Sequence, residues 1–97
     1  MRVEFHPEAD EEFVDEVAYL EMQVSGLGGR FIAEVERAIA LLVEHPKIGA
    51  PLDAVFRHVV LRRFPVSLIY ALEIDRVFIV AVAHQRRCPG YWHARTS

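Results

Sequence analysis

Two apolar runs near the end of the chain, Val66–Leu72 and Val77–Ala83, constrain the fold most. Each is nearly continuous in β-favouring or small residues, and only Glu73-Ile74-Asp75-Arg76 separates them. Runs of this length and composition predict central strands with one face under helices, joined by a tight turn. They must sit centrally in a sheet, and the rest of the chain must supply their cover. Phe56–Leu61, which precedes them across the break Arg63-Phe64-Pro65, reads as a third strand. Three sequential strands with short turns predict an antiparallel meander.

The first half predicts the cover. Arg2–Phe5 alternates as a short strand and His6-Pro7 breaks it. A helix is expected from about Pro7 to Val24, with Ala9, Phe13, Val17, Leu20 and Val24 on one face. Pro7 suits a first turn, and Glu8, Asp10, Glu11 and Glu12 suit the positive end of the helix dipole. Ser25-Gly26-Leu27-Gly28-Gly29 predicts a reversal. A second helix is expected from about Gly29 to Glu44, with Phe31, Ile32, Val35, Ala38, Ile39, Leu42 and Val43 as its stripe. His45-Pro46 stops it, and Lys47–Asp53 is a connector. The short loop predicts an antiparallel helical hairpin. The expected fold is α+β: a β-α-α-β-β-β domain, its antiparallel sheet carrying the hairpin on one face, with one helical turn over Tyr91–Arg95. Ninety-seven residues suit one domain, residues 1–97.

Composition narrows the functions. A single cysteine, Cys88, excludes an internal disulfide and fits a reducing cytoplasm. No run reaches the roughly 18 apolar residues that suggest a membrane span, and the N-terminus has no signal-peptide pattern. No serine sits in a nucleophile elbow. The five histidines lack metal-ligand spacing, so neither metal nor cofactor is expected. The net charge of −3 hides a division: residues 1–50 hold eleven acidic and four basic groups, residues 51–97 three acidic and seven basic. That split predicts two differently charged faces. Glu8 and Glu12 form an i, i+4 pair that reads as a solvated face, a surface for a basic partner, or an acid/base pair.

Chemistry concentrates in the arginines. Arg57, Arg62 and Arg63 lie on or beside the first meander strand, and Arg86, Arg87 and Arg95 follow the last. If those strand ends meet, the arginines form a cationic patch rimmed by Tyr91 and Trp92. Such a patch suits phosphates, carboxylates and flat rings. Trp92 reads equally as a core residue. His58 and His84 add candidates for proton transfer, which RNA cleavage by 2′-hydroxyl attack requires alongside cationic charge.

The same segments, in order, resemble the RelE/ParE superfamily of bacterial toxins from type II toxin–antitoxin and plasmid-stabilisation modules. Phe5-His6-Pro7-Glu8-Ala9 resembles its opening, and Gly28, Phe31 and Val35 the start of its second helix. His45-Pro46-Lys47-Ile48-Gly49 resembles its connector. Arg57 to Tyr70 resembles the R…L-x-x-F-P…I-Y hairpin, and Ala83 to Trp92 the A-H-x-R-R-x-P-x-Y-W ending.

This resemblance implies a cytoplasmic toxin held inactive by a cognate antitoxin across the helical hairpin and the exposed sheet edge, with a dimer of toxin–antitoxin pairs as a further expectation. It implies either inhibition of DNA gyrase, as in ParE-like members, or mRNA cleavage on the ribosome, as in RelE-like members. A non-toxic binding module is the third reading. The basic positions of the ribonuclease members fall here on His58, Val60, Ser67 and Gln85, and their tyrosine falls on Tyr91. A valine neither neutralises a phosphate nor moves a proton, so the gyrase reading is favoured. The expected target-binding residues are Arg57, Arg62, Arg86, Arg87, Tyr91 and Trp92. For a nuclease, Tyr91, His58 and Arg86 would be catalytic.

Overall fold

The structure is a computed structural model that describes residues 1–96; Ser97, the last residue of the expected domain, lies outside the described residues. The elements are β1 (Arg2–Phe5), α1 (Pro7–Gln23), α2 (Leu27–Glu44), β2 (Ala50–Pro51), β3 (Phe56–Val60), β4 (Val66–Leu72), β5 (Arg76–His84) and a 3₁₀ turn at His93–Thr96. The sheet order is β1-β5-β4-β3-β2. β3, β4 and β5 form the expected antiparallel meander. β1 joins the far edge parallel to β5, with Phe5 opposite Ile79. The two apolar runs are the central strands, as their composition requires.

Both sheet faces are covered. On one, Phe31, Val35 and Leu42 of α2 and Ala9 of α1 pack on Leu68, Tyr70, Val77 and Ile79. On the other, Trp92 packs on Phe56, Ile69, Ala71, Val80 and Ala81. The expected stripes face the core, with Ala9, Phe31, Val35, Ala38 and Leu42 buried and Phe13, Val17, Leu20, Ile32 and Ile39 half-buried. Their last positions are exposed: Val24, because α1 ends at Gln23, and Val43.

The helical reversal is tighter than the glycines alone predict. α2 starts at Leu27, not Gly29. Gly26 has φ +88°, a left-handed conformation open to glycine. The Glu21 carboxylate accepts the N–H groups of Gly26 (2.8 Å) and Gly28 (3.0 Å), so α1 caps the helix that follows it. A Cβ on Gly28 would stand 2.8 Å from the Val17 carbonyl, so the close helix approach requires glycine there. Tyr70, fully buried, pins the connector: its hydroxyl donates to the Pro46 carbonyl (2.7 Å) and accepts from Gly49 N–H (2.9 Å). Among the described residues, no helix is long and apolar enough to cross a membrane.

Candidate functional site

The C-terminal segment lies against the sheet and is tied to α1 through Glu12. This tie answers a backbone problem. β1 ends opposite Ile79, leaving the outer edge of β5 unpaired beyond that point. A bulge at Val80 (Ile69 faces Ala81 while Tyr70 faces Ile79) disturbs the ladder on the inner side as well. Glu12 Oε1 accepts the Val82 N–H (3.0 Å), and Arg95 Nη1 donates to the Val80 carbonyl (2.9 Å). Two side chains therefore close the open edge of β5.

The same carboxylate gathers the tail. Arg95 grips it with two nitrogens, Nη1 to Oε1 at 2.9 Å and Nη2 to Oε2 at 3.1 Å. The Tyr91 hydroxyl donates to Oε2 at 2.6 Å. The Arg87 guanidinium lies 3.9 Å from the Tyr91 ring centre, and Glu8 reaches Arg95 Nε at 3.1 Å. The Glu12 and Arg95 side chains are only 14% and 8% exposed, which makes this a largely desolvated pair. Burial pushes the Glu12 carboxyl up, but the hydrogen bonds from Arg95, Tyr91 and the Val82 N–H outweigh it and hold the group below the usual carboxylate range. Burial, followed by the Glu12 acceptor, pushes the Tyr91 hydroxyl well above the ordinary phenol value.

The solvated-face expectation for Glu12 is thus overturned: its basic partner is the tail of its own chain. Sequence reasoning missed this role. The one signal for it was the opposite charge of the two halves.

The remaining candidate residues separate. Trp92, open between rim and core in the sequence, is 4% exposed and buried against Phe56, with ring centres 4.6 Å apart. Arg57 sits at the start of β3 and donates to the carbonyls of Lys47 (3.1 Å) and Gly49 (2.8 Å). It clamps the connector and does not join Arg86 and Arg87, which follow the end of β5. Arg62 follows the end of β3 and is exposed, as is Arg86 in the turn after β5. Those two strand ends flank the start of β4 (Val60 opposite Ser67, His84 opposite Val66), so the expected approach holds for Arg62 and fails for Arg57.

Between tail and sheet is a cavity of about 300 Å³ whose lining includes Ser67, Ile69, Ala83, Gln85, Arg87 and Tyr91. His58 is not in its lining. The lining is mixed: Ile69, Ala83 and Trp92 are apolar, while Asp53, Ser67, Gln85, Arg87, His93 and His84, the other candidate for proton transfer, are polar or charged. Tyr91 there donates its hydroxyl proton to Glu12 and cannot give it to a substrate while that bond stands. Among the described residues, no cluster of His, Cys, Asp or Glu is arranged to hold a metal ion.

Comparison with known proteins gives one family and one fold. The model of the "ParE toxin of type II toxin-antitoxin system, parDE" family matches residues 3–89. A solved chain of the chromosomal ParDE toxin–antitoxin system from P. aeruginosa is similar in fold, with a TM-score of 0.75 at 12% identity, covering 87% of this chain and 95% of that one. A search of curated proteins gives no match.

Proposed function

Since this chain belongs to the ParE toxin family of type II toxin–antitoxin systems, we propose that it arrests growth by binding and inhibiting DNA gyrase, and that a cognate antitoxin restrains it. It acts in the cytoplasm, where that target is found. The antitoxin covers the exposed face of the helical hairpin and the neighbouring sheet edge, in a dimer of toxin–antitoxin pairs.

The observation that carries the target is the state of Tyr91. A ribonuclease of this superfamily needs basic groups on the strands and an available tyrosine near the C-terminus. Here the corresponding strand positions are His58, Val60, Ser67 and Gln85, and the Tyr91 hydroxyl is committed to Glu12. Three of those four strand positions lack a group that stabilises a transferring phosphate, and the tyrosine is held in its protonated form. What is left for a partner at this end of the molecule is a protein-binding surface: exposed Arg86, Arg87 stacked on Tyr91, and Arg62 across β4. Trp92 serves that surface by packing the tail against the sheet, and Arg57 holds the connector.

The test is plasmid supercoiling by purified gyrase with purified toxin added. The expected result is inhibition that is lost in the double variant Arg86→Ala, Arg87→Ala, with the fold retained by circular dichroism. Undiminished inhibition by that variant would remove these arginines from the interface. Undisturbed supercoiling with wild-type toxin would reject gyrase as the target. Transcripts cut on ribosomes would establish the nuclease activity in its place, and the absence of any growth defect would establish a non-toxic binding module.

A further inference from the structure

The tail follows the end of β5, and the turn between β4 and β5 lies at the opposite end of that strand. At that far end the last turn of α2, the connector and the β4–β5 turn surround an open hollow of about 710 Å³. Its lining includes Met1, Ile48, Leu72, Glu44, Lys47 and Glu73. Met1 and Ile48 are exposed, and Leu72 is half-buried. Ile74, next to Glu73 in the turn, is fully exposed. A lone aliphatic side chain in water is ordinary on a protein surface. Three around one hollow, with a fourth beside its rim, form a patch that gains by being covered.

Both signs of charge border this patch, and the chain itself answers neither. Glu73 is taken up by Arg76. Glu44 and Lys47 are exposed and make no ion pair among the described residues. They stand three positions apart, but α2 ends at Glu44, so the i, i+3 contact of a helix face is not open to them. The last turn of α2 holds no basic residue. Glu44 therefore sits uncompensated at the negative end of the helix dipole, where a cation is favoured and an anion is not.

We propose that this patch is a contact between two copies of the chain, related by a two-fold axis and formed without any other protein. In such a contact the same surface serves both partners, and each pairing occurs twice. Lys47 of each copy meets Glu44 and the last carbonyls of α2 in the other, while Met1, Ile48, Leu72 and Ile74 cover one another. The charges select this occupant. A nucleic-acid strand meets Glu44 and Glu73, and a partner of one sign leaves either Glu44 or Lys47 unanswered. A second copy brings both signs at the matching spacing. The contact is small, which places it with weak, transient interfaces and a dissociation constant of roughly 10–100 µM.

Sedimentation velocity of the purified chain, from low micromolar to submillimolar concentration, tests it. The wild-type chain is expected to pass from monomer to dimer across that range. Glu44→Lys alone and Lys47→Glu alone should each weaken the dimer at least about tenfold, because each sets like charges opposite one another twice. Mixing the two variants should restore a dimer, since every pairing between them is again of opposite sign. Ile48→Ser should weaken association without involving charge, and circular dichroism checks that each variant is folded. A wild-type chain that stays monomeric throughout, a dimer indifferent to both charge reversals, or a mixture that remains monomeric would each overturn the proposal. The assay contains neither gyrase nor antitoxin. Its failure refutes this contact alone, and a dimer that leaves gyrase untouched refutes the target alone.

Discussion

Two groups of arginines in this small domain have opposite fates. Arg95 folds back on α1, where Glu8 and Glu12 meet it and Tyr91 lies beside it, with the half-exposed Arg87 at the outer edge of the cluster. Arg30 and Arg63 lie in the open around a hollow beside α2 whose one acidic lining residue is Glu34, and Arg62 lies in the open at the adjoining hollow, which Glu34 and Glu44 also line. The two groups look alike in sequence, since both pair arginines with nearby aromatic and proline residues. What separates them is compensation. A cation whose hydrogen bonds are filled within the chain stabilises the fold, and a cation left in water is available to a partner. Counting arginines does not distinguish these roles, whereas tracing each guanidinium to its acceptor does.

The comparison breaks first at Glu12. Replacing Glu12 by alanine leaves Arg95 in a site where only 8% of its side chain reaches solvent, and it also orphans the Val82 N–H. A loss of about 3–5 kcal/mol is expected, the range for breaking a buried pair by removing one partner, and urea unfolding measures it. A loss below about 1 kcal/mol would place this pair among ordinary surface ion pairs.

Acid sharpens the same contrast. The folded Glu12 carboxyl is held below its ordinary value of 4.5, so its contribution is present above about that pH and is lost as pH falls through the lower, folded value. The melting temperature of the wild-type chain should therefore drop below about pH 4.5 more steeply than that of Glu12→Gln. Parallel curves would show that other carboxyl groups govern acid unfolding.

The smallest effect belongs to the exposed arginines beside α2. Arg30→Ala and Arg63→Ala, taken singly, should each change stability by no more than about 0.5 kcal/mol, as expected for exposed side chains without partners. A larger loss in urea unfolding would reveal a structural role for the exposed group and erase the distinction between the two arginine clusters.

Where the sequence was readable, the signal was local. Apolar spacing places both helices, the breaks at His6-Pro7 and His45-Pro46 separate helices from strands near their observed limits, and Pro65 separates β3 from β4. β4 runs over Val66–Leu72 as its composition predicts, and β5 extends one residue further at each end than its apolar run. What escaped was non-local. The parallel seat of β1 beside β5 depends on a pairing across more than 70 positions, such as Arg2 with Arg76. β2 is two residues, Ala50 and Pro51, too short to show alternation. Glu21 reaches the start of α2 from the preceding helix, and no capping pattern in α2 itself announces it.

The candidate site was legible as a list of residue types and much less so as a place. Glu12 looked like part of a solvated acidic face because its partners lie about 80 positions away. Arg57 looked free because its acceptors are backbone carbonyls, which leave no trace in a residue pattern. Trp92 was balanced between rim and core until Phe56 was seen across from it.

The most direct measurement follows DNA and protein synthesis by pulse labelling in the first minutes after the chain is induced alone in a bacterial host. Inhibition of gyrase predicts that thymidine incorporation falls first while methionine incorporation continues. An earlier fall in methionine incorporation would contradict this account and move the target to the ribosome, with Tyr91 released from Glu12 to act there.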